Sequence, residues 1–312
     1  MHHILPFGFK AGFNPLAAFG YLTAKPFVIG PILYPQQYTD YTDFSYVTGK
    51  GVTWSKLLYH AGKATLGFAS KPLQQLQKST LEEAEALVFT SKRTLELYKR
   101  AYANILDGKF LGVIPSGVER FFFVNSAPTR RSEFKILTVG RLIGRKGIQY
   151  LIMAMPTIVK ALGKVKLEVV GNGPYRENLE RLTKELSLEK YVLFRGDLPR
   201  HELPYVYAGC DLYVHPSLSE DFPSAISEAM AAGRAVVATD VGVIGEHIKD
   251  GVNGCLVPPR NTTALAEKII DLLNDGDRRV KMGEEARRYA EENLDWDRLA
   301  EAWYKIYEMM VR

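Results

Sequence analysis

From residue 134 onward, short apolar runs alternate with longer stretches in which apolar side chains recur every three or four positions. The short runs are FKILTVG (134–140), VKLEVVG (165–171), YVLFRG (191–196), LYVHPS (212–217), RAVVATD (234–240) and GCLVP (254–258). Rich in β-formers, with several ending in Gly, Pro or Ser, they predict strands. Between them lie IQYLIMAMPTIVKAL, YRENLERLTKELS, LPYVYAG, AISEAMAAG and ALAEKIIDLLND, whose apolar spacing predicts helices. Strand and helix in alternation predict an α/β doubly wound parallel sheet over 134–295. Ligands of such sheets sit beyond the C-terminal strand ends, where the Gly- and Pro-rich turns of this chain fall.

The texture before about residue 133 differs: aromatic and Pro/Gly-rich stretches such as PFGFKAGFNP and GPILYPQQYTDYTDFSY show few regular periods. KPFVIGP (25–31), EALVFTS (85–91) and FLGVIPSG (110–117) still predict three strands of the same kind, and the helix-like TWSKLLYHAGKATLGFASKPLQQLQKSTLEEA separates the first two. The expected organisation is two Rossmann-like domains, 1–133 and 134–312, the first of them incomplete. The closing segment LDWDRLAEAWYKIYEMMV is an amphipathic helix with Trp, Leu and Tyr on one side. It either docks on its own domain or, over about 296–312, crosses to the other one.

Composition narrows the class only modestly. The 312 residues are 46% hydrophobic and 24% charged, enough for two cores of roughly 100–200 residues each. No stretch reaches the roughly 18–20 uninterrupted apolar residues of a membrane span, and Met1–Lys10 lacks the layout of a signal peptide. The two cysteines, Cys210 and Cys255, have no partner at metal-binding spacing, so a reducing cytoplasm is the expected compartment. A formal charge of +5 suits an anionic small molecule or a lipid surface as well as nucleic acid. The basic residues are interspersed with acids and no nucleic-acid module is present, so nucleic acid is not an expected partner.

Chemistry concentrates in three places. GRLIGRKG (Gly140–Gly147) follows a strand and precedes a helix, so its N–H groups can face an anion, and Arg141 and Lys146 bring two mobile cations. A departing diphosphate needs such neutralisation; a basic solvated loop is the plainer alternative. GNGP (Gly171, Asn172, Gly173, Pro174) turns from the next strand into a helix and permits close ligand approach, a weak signal alone. The third is HPSLSEDFPSAISEAMAAGRAVVATDVG, His215 to Gly242. There Glu220 lies in a loop and Glu228 inside a helix starting near Pro223. The N–H groups of Ser224 and Ala225 are then free at the helix start, and the two acids can accept hydrogen bonds from sugar and ribose hydroxyls. Each acid taken singly reads as a solvated or helix-start charge.

Taken in order, G-R-x4-K-G, G-N-G-P, F-x-G (Phe194–Gly196), P-S-x2-E-x7-E-A-M-A-x-G, V-V-A-T-x-x-G (236–242) and G-x-x-G-x-L-V-P-P (251–259) resemble glycosyltransferase family 4, of GT-B architecture. The likeness runs densely over 134–312. It implies a retaining transfer of a hexose from a UDP-, GDP- or ADP-linked sugar to a saccharide, lipid-linked or small-molecule acceptor. Arg141 and Lys146 would bind the diphosphate without a metal, Glu220 the transferred sugar and Glu228 the ribose. The backbone around Phe222, Pro223, Ser224 and Ala225 would border phosphates and sugar, and Glu220, Arg141 and Lys146 are the expected catalytic groups. No cofactor beyond the donor is expected.

The resemblance fails at the start. The family's N-terminal glycine loop has no counterpart, as if roughly 60–100 residues, at ~30 per strand–helix unit, were absent. The position matching a histidine of many relatives is Pro31, so no catalytic base is assigned. His2 and His3 read as unordered chain-end residues in preference to a strand end. His215 reads as a buried support of the Glu220 loop, Cys210 and Asp211 as structural, and His60, His201 and His247 as surface residues. The N-terminal aromatics (Phe7, Phe9, Phe13, Phe19, Tyr21, Tyr34, Tyr38) form either core packing or an acceptor or membrane-contact surface, the latter placing the chain at the inner membrane face. The rival reading is a nucleotide-sugar-binding fragment with little or no transfer; an epimerase or hydrolase would need further acids and histidines.

Overall fold

The computed structural model describes residues 2–3, 28–32, 78, 81–124, 132–220 and 223–311. The chain forms two compact units, Met1–Pro115 with Ala302–Arg312, and Ser116–Glu301. The final helix therefore contributes its first turns to the second unit and its remainder to the first.

In the first unit four strands lie parallel in the order β1-β2-β3-β4: β1 (His2–His3), β2 (Val28–Ile32), β3 (Ala86–Phe89) and β4 (Phe110–Val113). His2 and His3 pair with Val28 and Ile29, which corrects their reading as unordered residues. Helix α1 (Lys92–Leu106) starts where the Ser91 side chain accepts the Thr94 N–H at 3.0 Å, satisfying one of the unpaired donors of its first turn. Leu81, Leu87, Phe89, Tyr98 and Leu106 make the core of this unit. The expected long helix over 53–84 and the N-terminal aromatics lie outside the described residues, apart from 78 and 81–84.

The second unit is the predicted doubly wound sheet. Its strands β5 (Phe134–Val139), β6 (Val165–Val170), β7 (Val192–Gly196), β8 (Leu212–His215), β9 (Val236–Thr239) and β10 (Cys255–Val257) are parallel, in the order β10-β9-β8-β5-β6-β7. Period-2 alternation sends neighbouring side chains to opposite faces. Ile136, Leu212, Val214 and Val237 meet α2 (Ile148–Leu162) and α7 (Thr262–Asn274) on one face. Leu137, Tyr213, Val236 and Ala238 meet α5 (Ser224–Ala231) and α8 (Gly276–Asn293) on the other. Truncating Ile136 or Leu137, both fully buried, to alanine should cost about 2–5 kcal/mol. The remaining helices are α3 (Arg176–Glu185), α4 (Leu203–Ala208), α6 (Ile244–His247) and α9 (Trp296–Val311).

Helices α1, α6 and α8 are additions to the sequence reading. In α8 the buried face is only Met282, Gly283, Ala286 and Ala290, a narrow stripe of mostly small residues in a charged helix. Gly283 is there because an added Cβ would stand 2.3 Å from the Gly233 carbonyl oxygen. His247 is also corrected: it is buried, its ring edge-on to Tyr289 and its Nδ1 3.3 Å from the Tyr289 hydroxyl, and burial lowers its pKa.

Candidate functional site

Strand order reverses between β5 and β8, and the segments leaving their C-terminal ends, 140–147 and 216–220, flank that switch point. In open α/β sheets such a switch point is where ligands bind, beyond the C-terminal strand ends. Hydrogen bonds to main-chain carbonyls fasten the two segments. Leu218 N–H and Ser217 Oγ both donate to the Arg145 carbonyl, at 2.7 and 3.2 Å. Thr239 Oγ1 donates to the Ser217 carbonyl, and Val243 N–H to that of Glu220 at 3.2 Å. Gly147, at φ +66°, lies so close to Pro216 that a Cβ would meet its carbonyl oxygen at 1.9 Å.

This frame brings Lys146 and Glu220 together across the switch point. Lys146 Nζ donates to Glu220 Oε2 at 2.5 Å, and His215 Nε2 stands 2.9 Å from the same oxygen. Glu220 is 2% exposed. Burial alone would raise its pKa; the His215 hydrogen bond and the Lys146 charge outweigh burial and hold it at about 2. Burial pushes the His215 pKa down, so its imidazole is neutral at pH 7. A neutral ring beside an acceptor-only carboxylate must carry its proton on Nε2, leaving Nδ1 to accept from the Tyr213 hydroxyl at 3.1 Å. His215 is thus the buried support of the Glu220 loop that its position suggested.

Glu228 is organised separately. It is 5% exposed on α5, with Oε2 accepting from the Tyr207 hydroxyl at 2.8 Å and Oε1 from Arg200 Nη1 at 3.1 Å. Burial raises its pKa against the opposing pull of Tyr207 and Arg200. Tyr207, wholly buried, is pushed well above its ordinary value and remains a donor. At the start of α5, Ile226 and Ser227 N–H groups both close on the Pro223 carbonyl, at 2.9 and 3.1 Å. Pro223 is therefore the N-cap, and the Ser224 and Ala225 N–H groups belong to the first turn, which has no partners within the helix.

Gly171–Gly173 form the floor beside the first loop. Leu142 N–H donates to the Asn172 carbonyl at 2.9 Å and Tyr175 N–H to the Leu142 carbonyl at 3.0 Å. Asn172 Oδ1 accepts from Gly173 N–H at 2.9 Å. Arg141 is exposed, and Phe222 lies outside the described residues. Sequence reasoning missed Arg145, whose Nη1 donates to the Ser219 carbonyl at 3.3 Å, and also Arg200, Tyr207 and Glu119. Arg145 stood in the basic loop as a visible cation; the other three belong to no motif.

Buried acids fixed beside a cation and a helix start suit hydroxyl and phosphate recognition. A family model described as glycosyl transferases group 1 matches residues 120–289. An uncharacterised glycosyltransferase of Methanocaldococcus jannaschii is 36% identical over 250 residues, covering 80% of this chain and 63% of its own. A GDP-mannose-dependent alpha-(1-6)-phosphatidylinositol monomannoside mannosyltransferase of Mycobacterium tuberculosis is 27% identical over 259 residues, 78% of this chain and 65% of its own. Among solved structures, sucrose-phosphate synthase from Thermosynechococcus elongatus superposes with a TM-score of 0.67 at 27% identity, over 77% of this chain and 61% of that one. The chain thus spans less than two thirds of the length of each of these relatives.

Proposed function

The chain belongs to the glycosyl transferases group 1 and has the α/β parallel-sheet fold of GT-B enzymes; on that premise we propose that it moves a hexose from a nucleotide-diphosphate sugar to a saccharide, lipid or small-molecule acceptor. The observation that carries this reading is the Lys146–Glu220 contact at the switch point of the sheet. A donor diphosphate there meets Lys146, Arg141, the Gly171–Gly173 turn and the N-terminus of α5. Glu228 accepts the ribose hydroxyls and Glu220 those of the transferred sugar. The mannosyltransferase relative, with its phosphatidylinositol-linked acceptor and GDP-linked donor, supports lipid acceptors and a GDP-sugar among the candidate donors.

Transfer is proposed to retain configuration. The sugar C1–phosphate oxygen bond breaks as the acceptor oxygen bonds C1 on the same face, and the acceptor proton passes to the departing phosphate. Lys146 and Arg141 neutralise the charge that builds on that phosphate, taking the part a metal plays elsewhere. The proposed compartment is the cytoplasm, where the free, buried Cys210 and Cys255 stay reduced. Among the described residues no helix is long and apolar enough to cross a membrane, and lipid contact is proposed as peripheral.

Calorimetric titration with UDP, GDP and ADP, with and without magnesium, tests the donor site. Micromolar binding of one nucleotide, unchanged by the metal, supports it and names the base. Failure of all three to bind sinks it. Tight binding with no turnover of the matching sugar nucleotide favours a donor-binding role alone.

A further inference from the structure

Arg200 belongs to no recognised motif, yet it is held on three sides. Its Nε and Nη2 bind both carboxylate oxygens of Glu119, at 2.9 and 2.5 Å. Its guanidinium carbon lies 5.1 Å from the centroid of the buried Phe122 ring. Its remaining fork nitrogen, Nη1, reaches Glu228 Oε1 at 3.1 Å. Phe122 also packs edge-on against Tyr207, centroids 6.0 Å apart, and Tyr207 is the other donor to Glu228. One aromatic ring therefore seats both groups that grip the acid. Glu119 and Phe122 lie together in the short segment that opens the second unit at Ser116.

We infer that Arg200 is a positioning residue for the nucleotide: anchored by Glu119 and Phe122, it holds the Glu228 carboxylate in the orientation that receives the ribose. The inference rests on the reading of Glu228 given above. A carboxylate offers about four acceptor directions, and Arg200 and Tyr207 take one on each oxygen. Two directions remain for a pair of vicinal hydroxyls, with the plane of the carboxylate set by the two donors. A guanidinium does this better than an ammonium, because its planar fork can bind Glu119 with two nitrogens and still present the third. Arg200 also opposes the upward push of burial on the Glu228 pKa. Among the described residues, the groups that act most strongly on that acid are Arg200, Tyr207 and Glu119, with Tyr213 beyond, and Arg200 is the cation among these four.

The test is nucleotide titration of the full chain, using whichever of UDP, GDP and ADP binds, between pH 5 and 8. Arg200→Met keeps the packing on Phe122 and removes the charge. Its affinity should fall about tenfold at pH 7, and further as pH drops, because Glu228 then protonates at a higher pH than before. Arg200→Lys should restore the pH profile of the unaltered chain while recovering only part of the affinity. Carbon-13 NMR of the Glu228 carboxyl, assigned with Glu228→Gln, should show its titration displaced upward in Arg200→Met. Unchanged affinity and pH profile in Arg200→Met, with Glu228→Ala still weakening binding, overturns the inference alone. A loss equal at every pH, with the Glu228 titration unmoved, also overturns it, since Arg200 would then act on the nucleotide directly. If Glu228→Ala binds as tightly as the unaltered chain, or no nucleotide binds at all, the reading of the donor site falls and the inference with it.

Discussion

Gly242 stands so close to Glu220 that a Cβ on the glycine would lie 1.7 Å from the Glu220 carbonyl oxygen. The same glycine has φ +58°, a left-handed conformation that most side chains resist. The turn after β9 is thereby pressed against the loop that carries the buried acid. Gly242→Ala should push that loop away, destabilising the fold by roughly 1–3 kcal/mol and lowering nucleotide affinity. Thermal unfolding checks the first effect and titration the second. Gly144→Ala, where nothing lies within 4 Å, is the control and should leave Tm unchanged.

Acid should reveal the Glu220 network. Its pKa falls from the ordinary 4.5 to about 2, so the stabilisation is full above the unfolded pKa and disappears as pH falls from about 5 toward 2. At neutral pH that difference is worth about 3 kcal/mol. Glu220→Gln should therefore be less stable than the unaltered chain at pH 7, with the gap narrowing below pH 5. Denaturant unfolding across this range tests it; a gap independent of pH would contradict the assigned charge.

Lys146→Ala and Glu228→Ala should each weaken nucleotide-diphosphate binding. Losing a charged hydrogen bond costs about 1.5–3 kcal/mol, one to two decades in affinity. Lys146→Ala also strips the buried Glu220 of its cation, so it should lower Tm, whereas Lys146→Arg should restore stability. Unaltered affinity in both alanine variants would refute the assignment of the site.

Tyr207→Phe removes one hydroxyl and keeps the edge-on packing with Phe122 and Tyr213. Glu228 Oε2 then loses its donor in a buried setting, which should cost about 1–3 kcal/mol of stability. Binding should weaken less than in Glu228→Ala, since the acid itself remains. Paired denaturation and titration of the two variants separate these effects.

The amino-acid pattern determined the doubly wound sheet, because strand and helix periods are local. All six runs from FKILTVG to GCLVP became strands, and IQYLIMAMPTIVKAL became a helix over Ile148–Leu162 without change. Lys146, Glu220 and Glu228 stood out in the sequence only through the ordered set of motifs around them, since taken singly each reads as an ordinary solvated or helix-start charge. Helix α8 was not, since its stripe of Gly and Ala carries little hydrophobic signal. Tertiary structure alone decided which charges meet. Lys146 and Glu220 are 74 residues apart, Arg200 and Glu119 81, and Arg200 and Glu228 28. Those pairs arise because the order β10-β9-β8-β5-β6-β7 sets the loops after β5 and β8 side by side and folds the opening segment of the unit against the turn after β7. Spacing along the chain holds no record of such a convergence. Local preference selects the elements, whereas burial of both sheet faces at once selects their order, and with it the partner of every charged side chain at the sheet's edge.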